Sequence, residues 1–258
     1  MTPSDALTAM RAQAPLVHCI TNYVAMNIAA NVLLAAGASP AMVHAEEEVA
    51  DFTPIAGALT VNIGTLSAAW VRGMILAART ANARKVPWVF DPVAHFATPY
   101  RRRTAQDLMM LRPTIVRGNA SEILALAGEA GSGKGTDSGD SVEDAEAAAS
   151  HVAQTYGSVV AVTGPVDFLT DGTRSARLTG GSDLMPLVTA LGCSLTALIG
   201  AYAAVAPAFD AALGALAHFK VAGSTAARRA QGPGSFQVHF LDELAAVQPG
   251  DLSVVIMQ

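Results

Sequence analysis

The apolar positions of the chain fall into two rhythms. Short continuous runs rich in Val, Ile and Leu occupy residues 16–21, 58–63, 86–90, 114–116 and 159–162. They have the length and composition of strands covered on both faces. Between them lie longer stretches, residues 24–36, 66–83, 101–111, 121–127 and 142–156, whose patterning predicts helices. Strand, helix, strand at this spacing is the pattern of βαβ units. The expectation is therefore an α/β fold, a mostly parallel sheet with helices on both faces. Residues 168–170, then Asp171-Gly172, then residues 173–178 read as a hairpin, and Asp-Gly favours the type I′ turn that right-twisted strands need. Beyond it the pattern is nearly all helical, with a helix start expected near Gly192-Cys193-Ser194. No internal repeat is visible, so residues 1–258 read as one domain, and the low-complexity stretch 131–141 reads as a mobile surface loop.

Composition narrows the setting. A net charge of -5 favours neither nucleic acid nor an anionic membrane surface. Charged residues make up 14% against 52% apolar, a balance that a buried subunit interface would explain. Residues 1–5 lack a basic or apolar targeting pattern, and Cys19 and Cys193 form no metal-type pair, so a reducing, cytoplasmic compartment is expected. Residues 195–219 carry one charge, Asp210, and by length could pass for a membrane span. Pro207 and the alanine and glycine content favour a pair of buried helices instead.

In sheets of this kind ligands bind outside the carboxyl ends of the strands. The polar residues there are Thr21-Asn22, Asn62 to Gly64, Asp91-Pro92, Arg117-Gly118-Asn119 and Thr163-Gly164. Their alignment is the argument for a single site. Residues 128–134 imitate a phosphate-binding P-loop, but Gly135 stands where a Ser or Thr is required and the stretch follows a helix. Asn119 and Glu122 have two compatible readings: a water-mediated Mg²⁺ site, or a helix N-cap with its capping-box partner. Asp91 could orient Mg²⁺ or a hydroxyl, or simply begin a turn. Thr163 with a free N–H after a strand suits phosphate, or is a plain turn. Arg117 could meet phosphate oxygens, or form an ordinary ion pair. Cys193 at a helix start could have a lowered thiol pKa beside an anion site, or be a small buried hydrophobe.

Taken in order, several segments carry a resemblance. They are Pro15-Leu-Val-His-Cys-Ile-Thr-Asn22, Gly37-Ala-Ser-Pro-Ala-Met42, Asp91-Pro-Val93, Arg117-Gly-Asn-Ala-Ser-Glu122, Val162-Thr-Gly164, Gly192-Cys193 and Gly232-Pro-Gly-Ser-Phe-Gln-Val-His-Phe240. Together they resemble the hydroxyethylthiazole kinase family of the ribokinase-like superfamily. The resemblance implies a three-layer ribokinase-like fold and the transfer of phosphate from ATP to 4-methyl-5-(2-hydroxyethyl)thiazole, with Mg²⁺. It places Asn22, Met42 and the backbone at Ala190 around the thiazole, Arg117 and Thr163 on the ATP phosphates, and Asp91 and Glu122 by the metal. Gly192 and Cys193 would form an anion hole, with Cys193 where related kinases carry a catalytic aspartate. A trimer with sites between neighbouring subunits is also implied.

Two loops depart from the family pattern. Ala190-Leu191-Gly192-Cys193 replaces glycine, a small residue, glycine and cysteine, which could crowd the anion hole. Ala94-His95-Phe96 replaces Gly-Val-Gly. Alternative readings are a kinase for another small alcohol such as a hydroxymethylpyrimidine, a weakened thiazole- or nucleotide-binding protein, or a thiol hydrolase using Cys193.

Overall fold

A computed structural model describes residues 1–128 and 142–257. Its strands are β1 (Leu16–Ile20), β2 (Ser39–Ala41), β3 (Ala58–Asn62), β4 (Trp88–Asp91), β5 (Ile115–Asn119), β6 (Val159–Thr163), β7 (Asp167–Thr170), β8 (Ser175–Leu178) and β9 (Ile256–Met257). They form one sheet in the order β2-β1-β3-β4-β5-β6-β7-β8-β9. Pairing is parallel from β2 to β6 and antiparallel from β6 to β9.

Ten helices are described: α1 (Pro3–Gln13), α2 (Met26–Ala36), α3 (Val49–Phe52), α4 (Ala68–Arg84), α5 (Pro99–Met109), α6 (Ala120–Leu126), α7 (Val142–Tyr156), α8 (Leu191–Ala203), α9 (Ala208–Ala227) and α10 (Pro233–Ala246). Strand residues alternate between two apolar clusters. Val17, Val89, Ile115 and Ala161 face α1, α2, α8, α9 and α10. Ile20, Phe90, Val116 and Val160 face α4, α5, α6 and α7. That period-two division makes three layers, helix, sheet and helix. The strands expected from the sequence form within a residue or two of their bounds, except that β5 runs three residues further than expected, while α1 and the three-residue edge strand β2 carried too little periodicity to be read.

Two expectations are corrected or resolved. The β7–β8 connection is not a type I′ turn. It runs from Asp171 to Arg174, and of its residues Gly172 alone has positive φ (88°). The Asp171 carboxylate accepts from Thr173 N, Thr173 Oγ1 and Arg174 N, so a side chain closes the loop that an Asp-Gly pair was expected to close by backbone twist. The apolar run 195–219 divides between α8 and α9, with Pro207 as the residue before α9. Among the described residues no helix is long and apolar enough to cross a membrane. The loop reading at 131–141 and the P-loop-like stretch after Gly128 lie outside the described residues.

Candidate active site

Parallel register brings the carboxyl ends of β1, β3, β4, β5 and β6 to one edge, with Asn62 opposite Asp91 and Asn119 opposite Thr163. The start of α8 is directed back at that edge. Between them lies a cavity of about 990 Å³, whose wall includes Asn22, Arg117, Glu122, Thr163, Gly192 and Cys193. The positions singled out after separate strands thus converge on one space.

Beneath the cavity floor runs a buried chain of polar groups. Asn22 donates from Nδ2 to Asn62 Oδ1 at 2.8 Å and to Cys193 Sγ at 3.4 Å. Asn62 donates to Asp91 Oδ2 at 2.8 Å, and Thr196 of α8 donates to the same oxygen at 2.7 Å. Arg117 Nη1 lies 3.5 Å from that oxygen, and its Nη2 donates to Thr163 Oγ1 at 2.6 Å. Asp91, expected to lie by the metal, is fully buried and is not part of the cavity wall. Its role here is to fix Arg117. Burial pushes the Asp91 carboxyl up to about 6 in spite of Arg117, with Glu122 adding to the rise. Its Oδ1 has no partner, nor does Arg117 Nε. Thr196 carried no sequence signal, because it sits inside an apolar helix.

At the α8 start, Ala190 takes the left-handed conformation (φ 61°) that glycine would hold without strain. Gly192 allows the Arg117 guanidinium to lie against the helix; a Cβ there would stand 2.6 Å from Nη2. Leu191 borders the cavity but is 4% exposed and packs in the core shared by α8 and α9. The Cys193 thiol is not lowered by its helix position. Burial, with Asp91 adding to it, pushes it up to about 11.

Glu122 satisfies the capping-box reading in full. Its Oε2 accepts from Asn119 N at 2.8 Å while Asn119 Oδ1 accepts from Glu122 N at 2.9 Å. Its other oxygen accepts from Ala94 N at 2.9 Å, tying down the loop after β4. Ala94 adopts φ 46°, the geometry expected of a glycine. His95 is buried with Nδ1 3.2 Å from Pro92 O, and neither it nor Phe96 lines the cavity, although Val93 does. That departure therefore leaves the cavity wall almost untouched. Met42 also stays out of the wall and packs, half-buried, against the α2 side of the core.

The far end of the cavity contains residues the sequence reading missed. Lys220 of α9 and Asp167 of β7 are 5% and 3% exposed and pair at 3.3 Å. Lys220 was legible in principle, as a lone cation following an apolar helical run. Asp167 also accepts from Gly164 N at 2.9 Å, so that N–H, expected to be free for phosphate, is already used. Among the described residues no cluster of three or more His, Cys, Asp or Glu could by itself hold a metal ion.

Residues 7–250 match the hydroxyethylthiazole kinase family. A relative named hydroxyethylthiazole kinase from Roseobacter denitrificans is 71% identical over 256 residues, covering 99% of this chain and 100% of the relative. The solved structure of a hydroxyethylthiazole kinase protein from Pyrococcus horikoshii superposes with a TM-score of 0.91 at 38% identity, covering 99% and 97% of the two chains. A ribokinase-like superfamily protein from Enterococcus faecalis has a TM-score of 0.67 at 11% identity over 95% of each chain, a likeness of fold alone.

Proposed function

The chain belongs to the hydroxyethylthiazole kinase family, and from that premise we propose that it phosphorylates the hydroxyethyl group of 4-methyl-5-(2-hydroxyethyl)thiazole with ATP, making thiazole phosphate for thiamine phosphate synthesis. The observation that carries this reading is the pairing of Arg117 and Thr163 opposite the start of α8 across one cavity. Helix N–H groups and a guanidinium fixed by a buried carboxylate are already placed for a transferring phosphoryl group, so little reorganisation is needed.

Arg117 and Thr163 bind the ATP phosphates, and Gly192 with the first turn of α8 receives the γ-phosphoryl group. Asn22, beside Cys193, holds the alcohol end of the thiazole, with the Ala190 backbone at its side. The alcohol oxygen bonds to the γ-phosphorus as the bridge to the β-phosphate breaks, and the alcohol proton is lost late, to a phosphoryl oxygen. Such a loose transition state depends on positioning and charge neutralisation more than on a strong base.

Mg²⁺ fits this donor set in the mode where phosphates and water supply most ligands. Glu122 borders the cavity and retains one lone pair on each oxygen after its backbone bonds, and it would hold the ion, with Asp91 acting from behind through Arg117. When bound, Mg²⁺ neutralises charge on the phosphates.

Met42 completes the thiazole pocket from a neighbouring subunit of a homotrimer. Tyr23 and Val24, 65% and 57% exposed beside Asn22, support an interface at the cavity mouth. We place the protein in the cytoplasm, where ATP is available and the free thiols Cys19 and Cys193 stay reduced.

The test is incubation with ATP, Mg²⁺ and a panel of alcohols that includes the thiazole and a hydroxymethylpyrimidine, following ADP and phosphorylated product together. Thiazole phosphate formed in step with ADP is the expected result. Preference for the pyrimidine, or ADP without any phosphorylated alcohol, would overturn the assignment. Light scattering should give three times the chain mass.

A further inference from the structure

We propose that Lys220 and Asp167 form a buried clamp that positions the nucleotide end of the site, setting ATP affinity without touching the alcohol. This rests on the proposed placement of the ATP phosphates at Arg117 and Thr163.

The turn after β6 carries Thr163, Gly164 and Pro165, and it is held from below at three points. Lys220 Nζ donates to Gly164 O at 2.8 Å and Pro165 O at 2.9 Å, and lies 3.3 Å from Asp167 Oδ1. An ammonium group has three N–H bonds, and three acceptors surround this one. Lys220 is thus saturated by protein groups and has no N–H left for a phosphate. The same Asp167 oxygen accepts from Gly164 N at 2.9 Å. Both the N–H and the C=O of Gly164 are bound, so the two peptide units that flank it are each held in orientation.

What the turn presents to the cavity follows from that. Thr163 Oγ1 accepts from Arg117 Nη2 at 2.6 Å, so the hydroxyl position and the guanidinium position are coupled. A turn that rotates carries Thr163 with it and loosens one of the two ties on Arg117, the other being Asp91. The backbone oxygen of Lys220 also accepts from Gly181 N at 3.2 Å, so the residue links the loop after β8 to the same end of the cavity. Asn22, Cys193 and Asn62 lie at the other end and reach the clamped turn only indirectly, through Asp91 and Arg117.

The pair is an unusual element to find here on stability grounds alone. Buried ion pairs recover little more than their desolvation cost, and an apolar pair would serve the core as well. Its distinctive capacity is directional: three acceptors gathered at one nitrogen fix a turn that has no regular secondary structure to fix it.

The variants are Lys220→Met, Asp167→Ala and Asp167→Asn, measured by steady-state kinetics with both substrates, ADP binding by calorimetry and thermal unfolding. Lys220→Met and Asp167→Ala are expected to raise the KM for ATP and the Kd for ADP about tenfold, with the KM for the alcohol within about threefold. Asp167→Asn keeps an acceptor for Gly164 N–H and is expected to restore most of the ADP affinity lost in Asp167→Ala. Unchanged ADP affinity in folded Lys220→Met or Asp167→Ala overturns the clamp, and so does an equal loss for both substrates. Should Lys220→Met fail to fold, the two Asp167 variants decide the matter alone. A wild-type chain that binds ADP but leaves the thiazole unphosphorylated would instead sink the proposed function, so the two failures are distinguishable.

Discussion

Replacing Cys193 by alanine is expected to leave measurable turnover. The thiol sits 3.4 Å from Asn22 Nδ2, and burial beside Asp91 pushes it up to about 11. At about pH 7.5 roughly one molecule in 3,000 then carries a thiolate, a deficit of about 5 kcal/mol for any route that needs it as a base. General-base assistance is worth roughly 10²-fold at the low end of its range, and a loose phosphoryl-transfer transition state draws little on it. The remaining contribution of Cys193 is contact and shape. Cys193→Ala should therefore lower kcat by no more than about tenfold and move either KM by less than about threefold, because the first turn of α8 and Arg117 remain. Cys193→Asp probes the opposite limit. Asp91 is itself raised to about 6 in this environment, and a carboxylate introduced beside it meets the same burial and the same negative neighbour. It should support turnover at neutral pH and add an acidic limb to the kcat profile. The assay is steady-state kinetics of both variants across the pH range, with intact-mass measurement during turnover. An alanine variant with no detectable turnover at a normal melting temperature would refute the reasoning, as would a phosphocysteine that forms and decays at the catalytic rate.

Glu122→Gln places an NH₂ group against a backbone N–H of either Ala94 or Asn119; unfolding stability should fall by about 1–3 kcal/mol, and the Mg²⁺ concentration for half-maximal activity should rise. An unchanged Mg²⁺ requirement would leave Glu122 as a cap and loop tie only. Ala190→Gly removes a left-handed alanine strain of roughly 1 kcal/mol and should not reduce ATP turnover, whereas Leu191→Thr should lower stability by about 2 kcal/mol because that side chain is core; thermal unfolding and kinetics of the single variants separate the two, and a large activity loss in Ala190→Gly would show a site adapted to alanine. His18 and His218 are buried neutral, each held down to about 4 by burial. Their unfolded values lie near 6.5, so the stability they contribute is complete above that pH and is lost as pH falls towards 4. Asp91, raised to about 6, takes up its proton first in the folded state and offsets part of the loss. Denaturant midpoints should fall between pH 7 and pH 5, and a midpoint that rises would contradict this balance.

Much of this molecule was readable along the chain because its determinants are local. Five buried strands announce themselves as short β-branched runs, since a strand covered on both faces has no reason to alternate polar with apolar residues. The Asn119–Glu122 capping box is a three-residue spacing, and both halves form as that spacing requires. The positions just after the strands share one edge because parallel pairing leaves no other arrangement, and so Asn22, Arg117 and Thr163 could be assigned to one site from the sequence. What the sequence could not determine is depth and partnership. Asp91 and Glu122 are both acids after neighbouring strands, yet one lies beneath the floor and the other borders the cavity. The difference arises from how α8 packs over β4, bringing Thr196 onto Asp91 across 105 residues of chain. Leu191 reads as an obstruction when its neighbours are glycine and cysteine, but the rotation of α8 turns it into the core. Lys220 and Asp167 meet across α9 and β7, and Met42 lies outside the wall that one chain builds. Burial and ion pairing are set by which surfaces are pressed together, and that is decided by the packing of whole helices on the sheet, a property no local spacing encodes.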